Sequence, residues 1–432
     1  MRCCTSRIVK GPSIVVIGGG AAGLVSALHL SARGAQVAIL ERSEQLGGRL
    51  RVPLDEDWKS DPGLHLIHGD GPWSQTLRKA SKVRLPIVPT PELHVLVDGH
   101  FSQPPFGVSG GRHGEKSRFA AYKWIKKISA RSQPGQRWME TVDSFDGLER
   151  TWASILGTLV TMEWNPDVLH YTVRRAMLNG IRRHRLGIPV HGWADCIGRL
   201  IFACEQLNAI ISTGCDVTAV DVRDDGVVVE MSDHDPISAD AVVFACSLSN
   251  THRLVAPLVP PVKPPSANLI RVAHAGVQLD ADSMLRPFVV DFNNKILTLN
   301  LAHSSPDRLP ESLRGTGSSL ESVIFEVDEE SIESIEARWH SHLESSAPGL
   351  QRHITETRSL QKSIVDHRWK PDSDHNRSTL VEWMSQNRMV SVAHESSNHH
   401  VLLDGTAIRA RKAADRLFKG PRGRRGRRRR SA

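Results

Sequence analysis

Tyrosine is nearly absent from this chain: of 432 residues only Tyr122 and Tyr171 carry a phenol, and aromatic residues make up 5%. No apolar run approaches the ~18 residues that a membrane-spanning helix needs, so none is expected. Met1-Arg2 is followed by no apolar stretch, and no secretory signal is read there. The six cysteines, Cys3, Cys4, Cys196, Cys204, Cys215 and Cys246, include no C-x-x-C pair. That excludes the usual sequence signs of a zinc site or a dithiol redox motif, and no metal is expected. Scattered thiols fit a reducing compartment, so the chain is expected in the cytoplasm. Acids are missing from the last stretch: from Pro421 onward there are seven Arg and no Asp or Glu. Without those Arg the formal net charge falls from +8 to +1. The basic balance is therefore a tail property and does not indicate a nucleic-acid-binding fold.

What is present is concentrated between Ile14 and Arg49. Ile14-Val15-Val16-Ile17 predicts a strand, Gly18-Gly19-Gly20-Ala21-Ala22-Gly23 a turn, and Leu24 to Ala32 a helix. After Arg33-Gly34, the run Val37-Ala38-Ile39-Leu40 predicts a second strand that ends at Glu41. Gly18 allows the tight exit from the strand, Gly20 lets a pyrophosphate approach the backbone, and Gly23 lets the helix pack close to the sheet. The helix start, with Ala21 and Ala22, offers free N–H groups and a positive dipole end to phosphates. Glu41 has the spacing suited to a ribose hydroxyl pair. Strand, helix and acid all stand where a dinucleotide site requires them. The alternative is a glycine-rich turn that holds no ligand.

The next residues, Arg42-Ser43-Glu44-Gln45-Leu46-Gly47-Gly48-Arg49, extend the motif. Joined to the glycine turn, they resemble the fingerprint of FAD-dependent oxidoreductases of the amine oxidase and phytoene desaturase superfamily. The resemblance implies FAD, with Glu41 on the adenosine ribose and Arg42 among the cofactor-binding positions. It runs Gly48 and Arg49 along the pyrophosphate and ribityl chain. Ala239-Asp240-Ala241-Val242-Val243-Phe244-Ala245 resembles a second family segment, and its strand is expected in the parallel sheet. By the same likeness Val217 packs on the adenine. Residues 388–395, followed by a helix from Leu402, resemble the last family motif. There Glu395 would bind a ribityl hydroxyl and Thr406 would lie at the flavin N1–C2=O edge. His394 stands where relatives carry a small residue. His65 and Trp369 are candidate active-site residues by the same analogy. Their structural alternatives are a His beside a turn and a buried Trp.

The implied fold is α/β: a Rossmann-like FAD-binding domain with a parallel sheet and an inserted β-meander, plus a mixed α+β substrate domain. Residues 13–105, 188–256 and 375–419 are assigned to the first, and 106–187 and 257–374 to the second. Leu93 to Phe101 predicts a hairpin turning at Asp98-Gly99. Trp124, Trp138, Trp152 and Trp164 cluster in a helical stretch, where they either line an apolar cavity or pack helices together. Residues 420–432 are low-complexity and are expected to be disordered.

The resemblance implies hydride transfer from a small, apolar organic substrate to flavin N5, in the manner of a dehydrogenase or desaturase. There is no second G-x-G-x-x-G, so no built-in NAD(P)H domain is expected. Two tyrosines, neither near the C-terminal flavin strand, speak against a tyrosine cage for amines. A flavin-dependent isomerase is one alternative. Another is a non-catalytic carrier or scaffold on the same fold, as in Rab GDP-dissociation inhibitor and escort proteins. The intact glycine fingerprint argues against the latter. The expected partners are a small-molecule substrate and, through the Arg-rich tail, a peripheral anionic membrane. No specific nucleic acid is expected.

Overall fold

The computed structural model describes residues 11–52, 66–82, 84–90, 93–102, 122–128, 133, 135–183, 186–255, 266–278, 285–304, 306–326, 330–368, 382–383, 386–393 and 402–418. His65, Trp369, His394, Glu395 and the tail 420–432 lie outside these described residues.

A five-stranded sheet forms around β1 (Ser13–Ile17). On one side of it run β2 (Gln36–Leu40) and β8 (Ile210–Ser212); on the other run β12 (Ala241–Phe244) and β18 (Val390–Val392). All four pairings are parallel. Parallel strands are covered on both faces, which is why they read as continuous apolar runs. One face, with Val16, Ile39 and Val243, packs under four helices. These are α1 (Ala21–Ser31), α2 (Pro72–Ser81), α6 (Gly192–Gln206) and α10 (Leu402–Phe418). The other face, with Val15, Val242 and Phe244, packs on an antiparallel meander and on α7 (Leu248–Val255). The meander is β9 (Val217–Val222), β10 (Val227–Met231) and β11 (Ile237–Ala239).

A seven-stranded sheet makes the second layer. Its order is β17 (Ile354–Arg368), β13 (Ser266–Gln278), β16 (Gly317–Phe325), β15 (Ile296–Asn300), β14 (Phe288–Asp291), β5 (Leu93–Val97) and β6 (His100–Ser102). A short helix, α8 (Leu301–Ser304), follows β15 directly. One face carries α9 (Ile332–Ser346), through Ile335, Trp339 and Leu343. The other meets Trp152 and Ile155 of α4 (Gly147–Thr161). With α3 (Trp138–Asp143) and α5 (His170–Arg183), α4 builds a separate helical core. A three-stranded ribbon, β3 (Ile67–His68), β7 (Leu186–Pro189) and β4 (Ile87–Pro89), joins the segment after the glycine motif to the chain entering α6.

The predicted hairpin forms, with φ of 49° at Asp98 and 76° at Gly99, the left-handed pair that a tight two-residue turn needs. Its outer edge joins a sheet built mostly from the later part of the chain. β5 pairs in parallel with β14, so the hairpin extends the seven-stranded sheet although it lies within 13–105. Local pattern sets a hairpin, whereas its outer partner lies almost 200 residues away in sequence (Leu93 to Phe288). β8 also went unread. Its three residues are too short for a period, yet they complete the parallel sheet at its edge. Trp138 and Trp152 are packed rather than cavity-lining, 0% and 1% exposed: Trp138 among helices, Trp152 against the seven-stranded sheet. Trp164 is only half-buried and lies against Phe292 and Phe325, with ring centroids 5.6 and 5.5 Å away.

Behind α9, a buried polar chain runs through the sheet. Asp291 meets His342 Nδ1 at 3.1 Å, His342 Nε2 meets Thr298 at 2.7 Å, and Thr298 meets Ser322 at 2.8 Å. Trp339 Nε1 donates to the same Ser322 at 3.0 Å. Burial pushes the Asp291 carboxyl up, but hydrogen bonds from His342 and Asn294 outweigh it and hold the group below the usual carboxylate range.

His170 and His274 are held neutral. Burial, then Arg174, lowers His170 to about 4; burial, then Arg308 and Arg358, lowers His274 to about 3. Below the ordinary value of 6.5 the unfolded chain takes up these protons while the folded chain does not. Their contribution is thus complete above about pH 6.5 and is lost as pH falls toward 4. The urea midpoint is expected to drop between about pH 7 and about pH 5. Replacing both residues with Gln should reduce that slope, leaving the share of His29 and His252; an unchanged slope would assign the acid sensitivity to other groups.

Candidate cofactor site

The glycine turn is fixed first by backbone. Gly18 leaves β1 with φ of 106°, and its N–H donates to Leu40 O at 2.8 Å. A Cβ on Gly23 would overlap the carbonyl oxygen of Gly18, so only glycine lets α1 start this close to β1. α1 opens at Gly20, and the first-turn N–H groups of Ala21, Ala22 and Gly23 have no acceptor within the helix. Gly47 donates to Gly19 O at 3.0 Å, which brings the second glycine pair beside the first.

Gly20 differs from Gly23. A Cβ there would meet nothing nearer than Gly48 Cα at 3.6 Å, an ordinary contact. The protein's own packing therefore does not require glycine at position 20. The position lies beside the free end of α1, where a pyrophosphate is expected to approach.

Glu41 stands at the end of β2. Its Oε2 accepts from Gly19 N at 2.6 Å and its Oε1 from Ser43 N at 2.9 Å. Each carboxylate oxygen has two acceptor directions, so each keeps one for a hydroxyl. That matches the two hydroxyls of a ribose. Beside it lies a cleft of about 90 Å³, walled by Gly18, Glu41, Arg42 and Val217. The structure thus brings Val217 beside Gly18, Glu41 and Arg42, which lie far from it in the sequence.

The remaining expected positions fall as follows. Gly48 opens a 3-10 turn with φ of 57°. Arg49 in that turn donates from Nη1 to Val365 O of β17 at 2.7 Å, bridging the two sheets. Thr406 is buried one turn inside α10, which starts earlier, at Leu402. His65, Trp369 and Glu395 fall outside the described residues.

Two groups of residues went unread. Cys246, Asn250 and Arg253, at and after the end of β12, wall the same cleft. Arg253 Nη2 donates to Val217 O at 3.2 Å and so fixes the strand against which an adenine would lie. Burial pushes the Cys246 thiol up, so it stays protonated. A signal existed: a parallel strand running straight into a helix puts the helix start at the ligand-bearing edge of the sheet. The second group is His68 with Asp404. Asp404 Oδ2 meets His68 Nδ1 at 2.9 Å, and its Oδ1 accepts from Trp73 N, in the first turn of α2, at 3.0 Å. Among the described residues no cluster of three or more His, Cys, Asp or Glu could hold a metal, and no helix is long and apolar enough to cross a membrane.

The sequence model of the flavin-containing amine oxidoreductase family matches residues 21–118 and 183–372. Over 50 residues the chain is 44% identical to an L-amino-acid oxidase of Sistrurus catenatus edwardsii, a segment that is 12% of this chain and 10% of that one. The match thus spans about a tenth of the length of that curated relative. An oxidoreductase from Methanosarcina mazei superposes with a TM-score of 0.70 at 17% identity, over 93% of this chain and 100% of the other. The CLA-producing fatty acid isomerase from P. acnes does so with 0.66 at 14% identity, over 95% and 100%. At such identities the likeness is one of fold.

The two glycines should separate by substitution. Gly20→Ala is expected to melt like the parent but to bind FAD at least about tenfold more weakly, a loss of about 1.4 kcal/mol. Gly23→Ala should lose about 1–3 kcal/mol or more of stability, because backbone must move. Melting curves and FAD titration read both; a Gly20→Ala chain with full affinity would remove the pyrophosphate from this turn.

Proposed function

The chain belongs to the flavin-containing amine oxidoreductase family, and on that premise we propose that it is an FAD-dependent oxidoreductase of the dehydrogenase or desaturase type, acting on a small apolar organic substrate. The observation that carries this reading is the glycine turn, where packing does not itself require the glycine at position 20, set between the α1 terminus and the two half-used oxygens of Glu41. When bound, FAD supplies the acceptor for a hydride at its N5. The chain's own residues hold and orient it. The first turn of α1 takes the phosphates, Glu41 the ribose, and Val217, fixed by Arg253, the adenine face.

An apolar substrate is supported by two features. Half-buried Trp164 and Phe292 pack with buried Phe325 as an aromatic group on the seven-stranded sheet. With two tyrosines in the whole chain, an amine-binding tyrosine cage has little material to draw on. The same fold serves an oxidoreductase and a fatty acid isomerase among the structural neighbours, so net oxidation has to decide between these reactions.

The deciding experiment is the visible spectrum of the purified protein, acid release of its chromophore, and anaerobic mixing with a panel of apolar substrates. Flavin bands, released FAD and bleaching by a substrate are expected. Bound flavin with rearranged product and no net bleaching would select the isomerase reading. A protein that stays colourless after FAD is added would overturn both and leave the carrier.

A further inference from the structure

Helices α1, α2 and α10 pack side by side over the parallel sheet. Their sequences contain two acids, Asp404 and Asp415. Both are engaged: Asp404 by His68 and Trp73 N, Asp415 by Arg33. Against them stand five exposed cations, Arg78, Lys79, Lys82, Arg411 and Lys412. Two of them, Lys79 and Arg411, converge with Arg33 around His29 of α1. His29 of α1 is lowered to about 4 by burial first, and then by Arg33, Arg411 and Lys79, which come from three different parts of the chain and outweigh Asp415. The adjoining α6 adds Arg199, matched by Asp195, and Glu205. Outside the Arg-rich last stretch the chain carries a formal +1, so this face is a local asymmetry.

We propose that this face, presented by α1, α2 and α10, docks on the anionic phospholipid headgroups of a bilayer. A planar surface of that kind asks for several cations at one level and for no groove. Each Lys or Arg close to it strengthens binding about fivefold. Single-stranded nucleic acid would ask for stacking platforms. The aromatic rings here are Trp73, fully buried, and Phe418, covered by the Arg33 guanidinium 5.6 Å from its centroid. The inference stands independently of the reaction proposed above.

The test is co-sedimentation of the FAD-loaded, full-length chain with phosphatidylcholine vesicles, with and without phosphatidylglycerol. To set the tail aside, all forms carry Gln in place of its seven Arg. Salt-sensitive binding to the phosphatidylglycerol vesicles alone is expected. Lys79→Ala, Arg411→Ala and Lys412→Ala combined should weaken it about a hundredfold, with the flavin spectrum unchanged. If that variant melts early, Arg78→Gln with Lys82→Gln replaces it, with about a twenty-fivefold loss expected. Indifference of the parent to phosphatidylglycerol, undiminished binding by the variants, or tighter binding to an RNA oligomer than to vesicles would each overturn the proposal.

Discussion

The fold leans on a contact that contains no side chain: Gly23 against the carbonyl oxygen of Gly18. Any Cβ at position 23 would force α1 away from β1. β1 is the centre of the parallel sheet, paired on both sides, so such a shift would reach β2 and β12 together. The same contact aims the open end of α1 at the C-terminal edge of the sheet. Glu41 then closes the arrangement, because its carboxylate holds the turn at Gly19 and its own chain at Ser43. A ligand arriving there meets donors and acceptors already in place, and little ordering cost remains to be met on binding.

The two sheets solve different problems. The parallel sheet is dry on both faces and presents chemistry only at its edge. The seven-stranded sheet instead buries polar groups between itself and α9: Asp291, His342, Thr298 and Ser322 in one connected chain. Such groups add little net stability against an apolar core, but each misplaced neighbour would leave one of them without a partner. We read that chain as fixing how α9 sits on the sheet. Arg49, reaching from the glycine motif to Val365, ties one layer to the other.

The glycine turn was legible because its constraints are local. Gly18, Gly20, Gly23 and Glu41 lie within 24 residues; backbone geometry dictates glycine at 18 and 23, and the expected ligand accounts for the other two. The meander and the hairpin were legible for a similar reason, since alternation and an Asp-Gly turn are short-range signals. What escaped was set by distance. The partner of β5 is β14, and the partner of His68 is Asp404, 336 residues away. Periodicity carries no information about which strand lies alongside, and three residues, as in β8, carry no periodicity at all. Arg253 escaped because its role runs through a backbone carbonyl, that of Val217, which leaves no trace in residue type.

α10 is where the two halves of the reading meet. Its first turn carries Asp404, which holds His68 and the start of α2; Arg411 and Lys412 lie two turns further on. Seven residues of helix advance about 10 Å. The cationic face and the Asp404 junction therefore sit on one rigid rod, with no hinge between them. The helix is also anchored on both sides, by α1 and by α2. A surface that docks through Arg411 and Lys412 would hold the whole parallel-sheet layer at a fixed tilt. An apolar substrate dissolves in a bilayer far better than in water, so an enzyme held in this way meets it at a higher local concentration. Substrate class and docking face, inferred from different residues, then favour the same working location for the chain.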